Sequence, residues 1–172
     1  MSQLYDVYAS SNGGSDFVIA VGAQGEAVSR TSIGTWVKET TGTNALFAGI
    51  FGSPQGNIFG VTQATTNPVM IGAAWKRDAG APNWTKETGP MPGGKGFWCA
   101  AAGIMVGELW AGDDNGQVWH RSAAGTWTSE LALPAGIGVY GIAQAEGAIF
   151  AVGDAGNVAY RPNSSTGTPW IR

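Results

Sequence analysis

The stretch Leu109–Trp127, LWAGDDNGQVWHRSAAGTW, decides the fold. A short apolar run ends in Gly112, an Asp-Asn-Gly turn follows, a second run ends in Arg121, and a Ser/Gly-rich turn leads to Trp127. The same sentence recurs over Ile19–Trp36 (IAVGAQGEAVSRTSIGTW) and Phe150–Trp170 (FAVGDAGNVAYRPNSSTGTPW), with a degenerate copy over Asn57–Trp84. The closing tryptophans Trp36, Trp84, Trp127 and Trp170 stand 48, 43 and 43 residues apart. A fixed period of this size marks a repeat architecture.

Each repeat reads as four short strands. The first offers Leu4–Ser10, Phe17–Gly22, Glu26–Ser32 and Thr35–Thr40, the second Leu46–Gly52, Asn57–Thr62, Val69–Lys76 and Trp84–Thr88. The third offers Gly96–Ala102, Glu108–Gly112, Gln117–Ser122 and Thr126–Leu131, the fourth Val139–Ala143, Ala148–Gly153, Asn157–Arg161 and Trp170–Arg172. Asn12-Gly13-Gly14-Ser15 supplies the positive φ angles of a tight hairpin. Pro54, Pro68 and Pro82 break the second repeat, whose longer turns, 63–68 and 77–83, carry its extra residues. No window shows a 3.6-residue apolar period, and glycine density disfavours helix at about 1 kcal/mol per interior site. The expectation is an all-β protein, a β-propeller of four blades of about 43 residues, over 1–42, 43–90, 91–134 and 135–172 in one domain, 1–172. A blade buries its faces only against its neighbours, and the strand nearest the axis should be the richest in small apolar residues, as 45–52, 97–102 and 138–143 are. The order of strands gives no clasp between the termini. Either four blades close by packing the first on the fourth, or chains combine into a larger ring.

The pattern apolar-Ala-Val-Gly-x-x-Gly, then a strand, then Ser-x-x-Gly-Thr-Trp resembles the YCF48-like and BNR repeat families of β-propellers. Their Asp-box turn reads Ser-x-Asp-x-Gly-x-Thr-Trp or close to it. Ser32-Ile33-Gly34-Thr35-Trp36 and Ser122-Ala123-Ala124-Gly125-Thr126-Trp127 keep the Ser, Gly, Thr and Trp but lack the Asp. The resemblance covers nearly the whole chain. It implies the fold and brings no catalytic residue with it.

Composition narrows the function. The 172 residues are 44% hydrophobic and only 12% charged, so the chain folds but is thinly charged. A net charge of −3 and dispersed Lys and Arg argue against nucleic-acid binding. The single cysteine, Cys99, cannot form an intrachain disulfide and reads as a buried small apolar residue. Met1–Asp6 has neither a basic start nor an apolar core, so no signal peptide is expected and synthesis is cytoplasmic; release by lysis or incorporation into a virion would need none. No apolar stretch is long enough to insert in a membrane.

The titratable residues mostly read as architecture. Arg30, Arg121 and Arg161 follow their turn glycines by five residues, with Lys76 as counterpart in the second repeat. Glu39, Glu87 and Glu130 follow the closing tryptophans by three, which suggests Arg–Glu pairs across each sheet. The carboxylates show no facing pair of the kind a glycosidase or sialidase needs, so no catalytic residue is assigned. The turn Asp113-Asp114-Asn115 offers oxygens for Ca²⁺ but equally caps its own backbone. His120 has no second ligand beside it, so no metal or cofactor is expected.

Eight tryptophans are more than the repeat requires. Trp36, Trp84, Trp127 and Trp170 belong to its core, and Trp110 matches Phe17, Phe59 or Phe150 and reads as core too. Trp75, beside Lys76 and Arg77, and Trp119, beside His120 and Arg121, stand where other repeats have smaller residues. An aromatic face next to a polar or cationic group suits a sugar ring or a partner side chain. Trp75, Trp119, His120 and Arg121 are therefore the candidate ligand-binding residues of a non-enzymatic binding module for glycans or protein surfaces. Two other readings stand beside it: a structural or decoration component of a phage head or tail, and an assembly factor of the YCF48-like kind. A homo-oligomer fits all three.

Overall fold

The computed structural model describes residues 3–172 other than 13–14, 32–33, 54–55, 67–68, 82, 90–95, 104 and 163–167. Gly13-Gly14, Ser32 and the prolines at 54, 68 and 82 thus lie outside the described residues. The first sheet takes its strands in chain order: β1 (Leu4–Asn12), β2 (Ser15–Gly22), β3 (Ala27–Thr31) and β4 (Val37–Lys38). The second contains β5 (Phe47–Gly52), β6 (Ile58–Thr62), β9 (Ala74–Arg77) and β10 (Thr85–Lys86), and a two-stranded excursion, β7 (Thr65–Thr66) and β8 (Val69–Met70), interrupts it. The third runs β11 (Phe97–Ala102), β12 (Leu109–Asp113), β13 (Gln117–Arg121), β14 (Trp127–Leu131). The fourth runs β15 (Val139–Ala145), β16 (Ala148–Gly153), β17 (Val158–Arg161), with the mutual backbone hydrogen bonds of Tyr160 and Ile171 (both 2.8 Å) in place of an outer strand. All pairings within the blades are antiparallel. These are four propeller blades, each made of consecutive strands, so no clasp joins the ends of the chain.

Two expectations shift in the second blade. The single strand expected over Val69–Lys76 is split, because the backbone at Gly72 presses against Gly96, where an added Cβ would lie 2.5 Å from the Gly96 Cα. The third strand therefore starts only at Ala74. Its register places Arg77 opposite Ile58, as Arg121 stands opposite Leu109, so Arg77 and not Lys76 is the counterpart of the other arginines.

Every inner strand carries a register shift next to its first residue, at Leu4/Asp6, Phe47/Gly49, Phe97/Cys99 and Val139/Gly141. Such a bulge bends the strand and increases its twist, as stacking around an axis requires. β1 then packs on β5, β5 on β11 and β11 on β15, with one buried apolar cluster in each joint. No comparable packing joins β15 back to β1 among the described residues. Among the described residues the four blades form an arc whose first and last inner strands are not packed together.

Cys99 fills the joint between β11 and β15, where its thiol donates to the Val139 carbonyl at 3.4 Å. Burial, above all, pushes this thiol from 9.0 up to about 12. The nucleophilic thiolate is thereby suppressed. A disulfide reagent at pH 8 should leave the native chain untouched and titrate one thiol after denaturation. Because the folded thiol keeps a proton that the unfolded one loses, this group's contribution to stability is whole below pH 9 and disappears as the pH rises through about 12.

Candidate functional site

The arginines expected to pair within a sheet instead link successive blades. Arg77 of blade two meets Glu39 of blade one at 3.1 Å, and Trp84 Nε1 donates to the same carboxylate at 2.7 Å. Arg121 donates through Nε and Nη2 to Glu87 of blade two at 2.6 and 2.7 Å, with Trp127 Nε1 at 3.0 Å. Arg161 donates through Nη1 to Glu130 of blade three, and Trp170 Nε1 donates to the same carboxylate at 3.1 Å. Each arginine also lies over an aromatic ring of the preceding blade: Phe17, Phe59 and Trp110 respectively. Glu39 and Glu87 directly follow their outer strands and Glu130 lies near the end of its own, where the chain leads into the next blade, so each carboxylate is delivered there.

Of the residues expected to bind a ligand, Trp75 is buried in the joint between the first two blades. Trp119 meets Phe97 edge-on at 6.2 Å and donates to Asp113 at 2.9 Å. Asp113 in turn accepts the backbone N–H groups of Asn115 and Gln117, so its carboxylate caps its own turn. His120 is stacked on Trp110 at 4.0 Å and donates from Nε2 to Glu108 at 2.7 Å. Trp75 and Trp119 therefore stay apart, whereas His120 and Arg121 act on one place, the turn between β11 and β12.

That turn forms one wall of a groove of about 470 Å³ across the first three blades. Glu108 folds back under it, accepting the Met105 N–H at 3.0 Å, and Arg121 Nη1 donates to the Gly107 carbonyl at 2.6 Å. Only glycine fits at 103, since a Cβ there would stand 2.3 Å from the Glu108 side chain. So braced, the turn holds Met105 and Val106 62% and 43% exposed. The opposite wall is aromatic. Tyr8 lies across Gly52, where a Cβ would meet its ring at 2.2 Å, and Phe51 is stacked on Phe59 at 5.4 Å. Ser53, buried beside them, has a hydroxyl with no hydrogen-bond partner among the described residues.

Sequence reasoning passed over Tyr8, Phe51, Met105 and Val106. The first two had a signal: they occupy inner-strand positions where blades three and four have Ala101 and Ala143. Met105 and Val106 sit in a turn with no counterpart in the repeat.

Neither a protein-family model nor a curated protein sequence matches the chain. Solved structures do. YCF48 bound to a D1 peptide is similar over 99% of this chain and 52% of its own, at a TM-score of 0.68 and 14% identity. The Dos1 propeller is similar over 96% and 45%, at 0.70 and 16%. The GH74 enzyme of Niastella koreensis is similar over 98% and 29%, at 0.62 and 13%. All three are β-propellers, in line with the resemblance to YCF48-like repeats, and this chain spans about half or less of each.

Proposed function

We propose that the chain is a protein-interaction module, binding without catalysis, and that the groove between Tyr8, Phe51 and the Met105–Val106 turn receives an extended peptide with an apolar side chain. The observation that carries this reading is the turn itself. Two apolar side chains face solvent on a backbone fixed by Glu108, His120 and Arg121, when burying them would stabilise the free chain. A rigid anchor beside an aromatic wall loses little entropy on binding. That one similar propeller is seen with a peptide bound supports the class of ligand.

In this reading Trp119, His120 and Arg121 position the groove rather than touch the ligand, and Trp75 serves the neighbouring joint. An array of peptides with varied apolar anchors should retain wild-type protein. The Met105→Glu chain should bind the same spots about tenfold more weakly, near 1.4 kcal/mol. Retention on a glycan array instead, or peptide binding indifferent to Met105→Glu, would contradict the proposal.

A further inference from the structure

Pairing register shows which side chains of each blade face the next one. Ile19, Phe59, Trp110 and Phe150 are equivalent, as are Val21, Val61, Gly112 and Val152, and Ala27, Ala74, Val118 and Val158. In the first three blades the apolar side chains at these positions are at most 1% exposed. In the fourth, Phe150, Val152 and Val158 are 40%, 44% and 54% exposed. The face is built to be covered, and no blade among the described residues covers it.

Blade one shows the converse. Val7 is 60% exposed, whereas its equivalent Ile50, facing the preceding blade, is 5% exposed. Trp36 is half exposed, although the repeat marks it as core, while Trp84 is buried. Arg30 lies over Trp36 at 5.5 Å, much as Arg161 lies over Trp170 at 5.2 Å. In every later blade such an Arg and Trp close on a carboxylate from the blade before. Blade one holds the receiving half of that joint, exposed, with no preceding blade among the described residues.

We infer that a second copy of this chain occupies both faces, blade four of each copy packing on blade one of the other to close an eight-bladed ring. One chain offers one forward and one backward face, so two copies related by a two-fold axis use all four and leave none open. Eight blades lies within the range of closed propellers. An apolar face against an apolar face, with an arginine–tryptophan pair at the outer edge, repeats the chemistry of the three joints within the chain.

Light scattering at micromolar concentration should give twice the 17.7 kDa chain mass. Val7→Glu and Val152→Glu, both at exposed positions, should each halve that mass while near-ultraviolet circular dichroism stays that of the wild type. Because each variant keeps one intact face, mixing the two should restore a one-to-one pair that neither forms alone. A wild-type chain at single mass, a polymer longer than two, a pair insensitive to both substitutions, or a mixture that stays at single mass would overturn the inference.

Discussion

Trp110→Ala should be the most damaging single substitution in the chain, lowering stability by about 3–5 kcal/mol. The indole is 1% exposed, stacked on His120 on one side and under the Arg161 guanidinium at 4.8 Å on the other. Its loss opens a cavity in the joint between blades three and four and strips both cationic and aromatic neighbours of a surface. For a domain of this size the melting midpoint should fall by roughly 6–20 °C. Trp110→Phe is the discriminating control, expected to cost about 1–2 kcal/mol. The equivalent positions hold Phe59 and Phe150, and the buried Trp110 Nε1 has no hydrogen-bond partner among the described residues to lose. Equal losses for the two variants, measured by denaturant unfolding, would show that the ring does not act through packing.

Glu87→Ala should come next, at about 3 kcal/mol, because it strands a nearly buried guanidinium and an indole N–H together. An exposed ion pair would cost at most about 1 kcal/mol, so the magnitude separates a joint from a surface contact. The same change frees Arg121, whose Nη1 also holds the Gly107 carbonyl. Peptide affinity should therefore fall along with stability. Replacing Arg121 by Met in the Glu87→Ala background should recover much of the stability, since the uncompensated charge is gone, but not the affinity. Recovery of both would place the groove's rigidity elsewhere.

How much of this was legible in the sequence follows from what repeats. The Trp spacing and the glycine turns recur in every blade, so the all-β propeller reading, with most strand positions, came from them directly. The Arg and Glu positions were equally visible, but their partners were misassigned. Spacing along one chain shows that Glu87 and Arg121 belong to a pattern, not that the outer strand delivers Glu87 into the next blade. Trp36 was misread for a related reason: its burial depends on a blade that would precede it. Trp75 was taken for a surplus aromatic because blades one and four have only Val28 and Ala159 at its position, yet it packs in the core of the joint between blades one and two. The groove lies where the repeat is broken, in a turn and two inner-strand aromatics, and only three-dimensional stacking brings Tyr8, Phe51 and Met105 together.

Four blades, each locked to the next, stop short of closing on themselves among the described residues. Small-angle X-ray scattering from the Val152→Glu chain tests it most directly, because that chain should be single. The expected curve is that of an open arc, with blade one apart from blade four. The curve of a closed four-bladed disc, with those two blades packed together, would contradict it.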